Sequence, residues 1–122
     1  MAGLGIPTWY AKSMEDAAVT CSSAAAGTTV VAAANCPFML AGIRFANLTT
    51  GHEVISIYDG AANASTPQLI DSFSIPYDAT ATFLNYYQWK PPYPVKIGTT
   101  LVVKTTNANA VSAIPLRAEY TL

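Results

Sequence analysis

Apolar and polar residues alternate singly in several stretches of this chain, the period-two signature of strands half buried in a sheet. The clearest run is His52–Gly60, where Val54, Ser56 and Tyr58 alternate with Ile55, Ile57 and Asp59 before Asp59-Gly60 ends the strand in a turn. The rhythm resumes over Gln68–Ile75, so the two runs read as a hairpin joined by the small, polar loop Ala61–Pro67. Further strands are predicted over Ala18–Ser23, Thr28–Ala34, Phe38–Asn47, Ala79–Tyr87, Pro94–Gly98, Thr99–Thr106 and Ala110–Leu122, the last bent or bulged at Pro115. Strict alternation along Phe38–Asn47 places Met39, Ala41, Ile43 and Phe45 on one face and turns Arg44 to water on the other.

Turn-forming residues punctuate these runs at Ala24–Gly27, Asn35-Cys36-Pro37, Thr49–Gly51, Pro76–Asp78 and Trp89–Pro94. About eight or nine short strands at spacings of about ten residues, with no long helix, predict an all-β fold: a single-domain antiparallel β-sandwich or jelly roll. Residues 1–16 break the pattern, since Gly3, Gly5 and Pro7 interrupt any regular element. They are expected to form an extended N-terminal arm ahead of a sandwich domain at 17–122, with a short helix over Lys12–Ala18 capped by Ser13. Trp9, Tyr10 and Met14 on that arm need cover, so they are expected to dock, either on their own domain or on a neighbour.

Composition adds a second theme. Charged residues make up 11% of the 122 residues and apolar ones 52%, against about 25% charged in an average soluble domain. A surface this poor in charge suits coverage by other protein subunits. The six Lys and Arg stand singly and the net charge is −1, so the clustered cations that neutralise phosphates are missing and nucleic acid is not an expected partner. The uncharged run Ala17–Ile43 is broken by Thr, Ser, Gly, Asn and Pro, which argues against a membrane helix. The N-terminus has no basic stretch leading into an apolar one, so synthesis in a cytoplasm is expected. There, Cys21 and Cys36 are expected as buried free thiols in preference to a disulfide across a hairpin. The tripeptides Asn47-Leu-Thr49 and Asn63-Ala-Ser65 then read as chance matches to a glycosylation signal.

Catalytic patterns are thin. His52 is the sole histidine, Asp59 and Asp71 are its nearest candidate partners, and no G-x-S-x-G elbow occurs. Glu53 and Asp59 share a strand face but lie ~20 Å apart along it, too far to act on one small substrate. Two cysteines and one distant histidine do not make a metal ligand set. The expectation is a non-enzymatic protein with no catalytic residue, cofactor or metal. The aromatic group Tyr86, Tyr87, Trp89 and Tyr93 beside Pro91, Pro92 and Pro94 remains, and Trp89 and Tyr93 join Trp9, Tyr10 and Met14 as candidate interface residues.

The run Glu53-Val-Ile-Ser-Ile-Tyr-Asp-Gly60, then Pro67-Gln-Leu-Ile70, then Pro92-Tyr-Pro-Val-Lys-Ile-Gly-Thr-Thr-Leu-Val-Val103 resembles small virion proteins of tailed bacteriophages, over roughly residues 40–106. That family includes head decoration (cement) proteins and fibre domains. The resemblance implies a jelly roll or related sandwich, commonly a homotrimer, seated at capsomer junctions on the virion surface. Its expected partners are the major capsid protein and further copies of the chain, with the N-terminal arm latching a neighbour. It carries over no catalytic residue. A phage fibre or host-surface module is the second expectation, binding carbohydrate through Trp89, Tyr93 and the Ala61–Pro67 loop.

Overall fold

The computed structural model describes residues 8–14, 18–49, 51–75, 85–108 and 110–121. In chain order the strands are β1 (Thr8–Ser13), β2 (Val19–Cys21), β3 (Thr28–Val31), β4 (Phe38–Asn47), β5 (Glu53–Asp59), β6 (Leu69–Ile75), β7 (Asn85–Trp89), β8 (Val95–Ile97), β9 (Leu101–Thr105) and β10 (Val111–Thr121), with a 3-10 turn at Ala33–Asn35. They form two antiparallel sheets packed face to face, an all-β sandwich. No helix among the described residues is long and apolar enough to cross a membrane.

Sheet A is built on its two longest strands, β4 and β10, which pair with each other. Along the free side of β10, β2 covers Val111–Ala113 and β1 covers Leu116–Thr121. Along the free side of β4, β8 covers Phe38–Leu40 and β7 covers Ile43–Asn47. Sheet A is thus four strands wide, and each outer strand comes in two pieces. Sheet B has the order β3-β9-β5-β6.

Both breaks in sheet A fall at the same height, and the central strands show why. Pro115 lies in the middle of β10, where a residue without an N–H would leave a ladder gap. Its carbonyl accepts from the Met14 N–H at 3.1 Å. Because the N–H and C=O of an extended residue point the same way, the missing donor faces the break between β1 and β2. On β4, Leu116 pairs with Gly42 and Arg117 with Leu40, leaving Ala41 as the extra residue of a bulge. Gly42 lies so close to the end of β7 that a Cβ there would sit 2.5 Å from the Trp89 carbonyl oxygen.

The bulge reverses side-chain parity. Phe38 and Leu40 before it, and Ile43 and Phe45 after it, all enter the main core, while Met39 and Ala41 face outward with Leu116, Ala118 and Trp9. The expected grouping of Met39, Ala41, Ile43 and Phe45 on one face is therefore corrected. Against these residues sheet B presents Ile55, Ile57, Ile75, Leu101 and Val103. Phe73 of β6 reaches across the sandwich to two rings of sheet A, edge-on to Phe45 at 5.8 Å and tilted against Tyr87 at 5.3 Å.

Other differences from the sequence reading are local. Within the stretch expected as an arm, Thr8–Ser13 is an edge strand and Met14 is buried in the main core; residues 1–7 and 15–16 lie outside the described residues. The expected helix at Lys12–Ala18 does not begin at Lys12, because Lys12 and Ser13 pair with Arg117 and Leu116 of β10. The strand expected over Thr28–Ala34 is β3 and ends at Val31, ahead of the 3-10 turn at Ala33–Asn35, and the expected strand from Ala79 is seen from Asn85 onward, residues 79–84 lying outside the described residues.

Gly42→Ala is expected to destabilise the protein by about 1–3 kcal/mol, the usual range for forcing atoms into filled space. Gly51→Ala, where an added Cβ meets nothing within 4 Å, should stay within about 0.5 kcal/mol of the parent in the same urea titration.

Candidate functional site

The acidic and histidine side chains named as catalytic candidates do not converge. His52 is exposed at the start of β5. Glu53, buried beside it in sequence, accepts hydrogen bonds from the Asn107 side-chain amide at 2.7 Å and from the Asn107 N–H at 3.3 Å, which ties the β9–β10 turn to β5. Asp59 closes the far end of the sandwich by accepting from Gly98 N–H, Thr99 N–H and the Thr99 hydroxyl at 2.9, 2.9 and 2.8 Å. Partial burial pushes the Asp59 pKa up, but these donors together outweigh it and hold the carboxyl below its ordinary value. Asp71 accepts from the Trp89 indole N–H at 2.8 Å, an inter-sheet bond. No group of three or more metal-ligating side chains occurs among the described residues.

Both cysteines are free thiols. Burial pushes Cys21 up to about 12, so it stays protonated at neutral pH. Cys36 is also raised, by burial and then by the charge of Asp59. The Asn47 side chain is buried and used up locally: its oxygen accepts from Thr49 N–H and Oγ1 at 3.0 and 2.8 Å, and its amide donates to Gly51 O at 2.8 Å. The Asn47-Leu-Thr49 tripeptide is thus a turn clamp.

The five candidate interface residues separate. Met14 is 9% exposed and Trp89 is 6% exposed, both inside the main core. A ring so covered has no free face for a sugar or a partner, which corrects the expectation for Trp89. Trp9 lies half-buried over Leu116 and Ala118 on the outer face of sheet A. Tyr10 donates to Glu119 at 2.8 Å beside Arg117 and Lys12, which stand 2.8 and 3.7 Å from the same carboxylate. The Tyr10 hydroxyl and the Arg117 guanidinium hold Glu119 below its usual pKa, and the Glu119 carboxylate in turn raises that of Tyr10. Tyr93 is 79% exposed in the corner between β7 and β8.

Strand register brings a different group together. Outside the sandwich, β10, β4 and β7 set Ile114, Arg44 and Gln88 in one row and Ser112, Ala46 and Tyr86 in the next. Tyr86 is 70% exposed, and the small side chains of Ala46 and Ser112 leave a depression of ≈ 310 Å³ walled by Tyr86, Arg44, Leu48 and Ile114. A neighbouring hollow shares Arg44, Phe45 and Tyr86 and extends to Tyr87 and Gln88. Arg44 makes no hydrogen bond or ion pair among the described residues. Lys96, opposite Met39, shares this outer face, and no described residue on the face is acidic. Sequence reasoning noted Arg44 and Tyr86 separately. Their juxtaposition depends on the pairing of β4 with β7, which alternation within each strand does not specify.

The outer face of sheet B is hydroxyl-rich, with Ser56 and Ser72 hydrogen-bonded across β5 and β6 at 3.0 Å, and holds a shallower hollow lined by Val54, Ser56, Tyr58 and Lys104.

No protein-family model, no curated protein and no solved structure matches the chain.

The lowered Asp59 pKa means that the stability it supplies is complete above its unfolded value, near 3.8, and is lost as pH falls through the lower folded value. Thermal melts of wild type and Asp59→Asn should therefore differ by a constant interval at neutral pH, and that interval should close below about pH 3.8. Trp89→Phe, which removes the indole N–H that binds Asp71 and part of a buried ring, is expected to cost about 1–3 kcal/mol in urea unfolding, through the lost bond and the space left in the core.

Proposed function

We propose that this protein is a non-enzymatic structural component of a phage virion, made in the host cytoplasm and seated on the capsid surface. There it stabilises the shell by bridging subunits of the major capsid protein, as a homotrimer of its own copies. The observation that carries the reading is the distribution of uncovered apolar side chains around a domain of low charge. Tyr10 and Tyr120 stand exposed by the β1–β10 edge, Tyr93 in the corner between β7 and β8, and Val54 and Leu69 on sheet B. A bridging subunit needs contacts on more than one side, and these residues supply apolar area on several sides, with Tyr10 alone held in a charged cluster around Glu119. Tyrosine suits such contacts, since its ring gives apolar area and its hydroxyl a polar tip. At about 25 cal/mol per Å² of buried apolar surface, several modest interfaces reinforce a shell with no covalent link. The likeness of the Glu53–Gly60 hairpin and the Pro92–Val103 segment to small virion proteins points the same way.

The test is binding to expanded capsids of the encoding phage. The trimer should bind at fixed stoichiometry and raise the temperature at which the capsids come apart. Tyr93→Glu or Tyr120→Glu should weaken that binding without lowering the melting temperature of the free protein. A protein that stays monomeric and leaves the capsids unbound overturns the reading.

A further inference from the structure

The depression beside Arg44 brings together a cation with no partner among the described residues, an exposed aromatic ring and a concavity. All four described carboxylates are engaged: Glu53 with Asn107, Asp59 with Gly98 and Thr99, Asp71 with Trp89, and Glu119 with Tyr10, Arg117 and Lys12. The Arg44 guanidinium thus has no acidic partner among them, and its fork of donors fits a carboxylate bidentately. Tyr86, diagonal to it on the neighbouring strand, presents its ring to solvent. Ser112 and Gln88 add a hydroxyl and an amide at either side, and Ala46, Leu48 and Ile114 give an apolar lining. The volume, ≈ 310 Å³, is at the lower end of the range of about 300–1,000 Å³ typical of small-ligand pockets.

We propose that this depression, together with the adjoining hollow that Gln88 lines, binds a carboxylate-bearing saccharide: Arg44 takes the carboxylate, Tyr86 stacks on the C–H face of the ring, and Ser112 and Gln88 hydrogen-bond its hydroxyls. A peptide fits less well. Extended peptides bind through main-chain hydrogen bonds at a sheet edge, whereas in the middle of this face the backbone groups of β4 and β10 are committed to each other. A sugar ring needs only side chains. The site does not depend on the capsid reading, because its ligand is tested on the isolated protein.

The experiment is an amide-resolved NMR titration of the full chain with digalacturonic acid, alongside neutral galactobiose as the uncharged counterpart. The acidic disaccharide should move the signals of Arg44, Tyr86, Gln88 and Ser112, and it should bind more tightly than galactobiose. Arg44→Ala should weaken the acidic disaccharide about tenfold, the worth of one charge-assisted hydrogen-bonded pair, and leave galactobiose unchanged. Tyr86→Ala should weaken both, and Lys104→Ala, on the other sheet, neither. Equal affinity for the two disaccharides, shifts confined to other residues, or no shift through the millimolar range overturns the proposal. So does a result in which the tripeptide Glu-Gly-Glu moves these signals and digalacturonic acid does not. Wild-type protein alone decides between these outcomes, so a variant that folds poorly leaves the conclusion standing.

Discussion

Sheet A depends on a single close approach, that of the Gly42 backbone to the carbonyl oxygen of Trp89. No residue with a side chain fits there, and the geometry around that contact follows from it. β7 ends where its carbonyl meets Gly42, the chain leaves the sheet through Lys90–Pro94, and β8 resumes the same edge lower down. Directly across, the bulge at Ala41 and the proline at 115 absorb the mismatch between the two central strands. The result is a crease running across the sheet, with core side chains of opposite parity above and below it. Without the parity change, either Leu40 or Ile43 would face water.

The polar residues are spent on holding this frame. Glu53, Asp59, Asp71 and Asn47 each fasten a turn or the opposite sheet. For the buried Glu53 and Asn47, an acceptor left without its donor costs more than the bond contributes when made, while the partly exposed Asp59 and exposed Asp71 fasten through the donors they hold. Trp89 shows the same logic from the donor side: its indole lies in the core because Asp71 of the opposing sheet satisfies its N–H. Among the described residues every carboxylate is engaged in this way, and cations such as Arg44 and Lys96 are left without an acidic partner among them.

Much of this architecture was legible in the sequence. Alternation identified β4, β5, β6 and β10, and the β-forming run Leu101-Val102-Val103 identified β9, which together point to the sandwich. The crease was not legible, since one inserted residue at Ala41 is invisible until a partner strand shows which residue goes unpaired. The role of Trp89 was misread for a related reason: its position beside three prolines resembles an exposed corner, yet pairing with Ile43 turns its ring inward. The Arg44–Tyr86 group depends on the same pairing, across about forty residues of sequence, and strand pattern alone does not encode register between distant segments.

Every border of the two sheets is interrupted among the described residues. The β1–β2 and β7–β8 borders are split, and register shifts mark β3 and β6. An intact border strand is a template on which another chain can grow a continuous hydrogen-bonded ribbon, and irregular borders frustrate that growth. A charge-poor protein with exposed tyrosines lacks the electrostatic repulsion that ordinarily keeps such chains apart in a crowded solution. Borders broken in this way disfavour such growth, and they leave side chains as the groups best placed to meet another molecule.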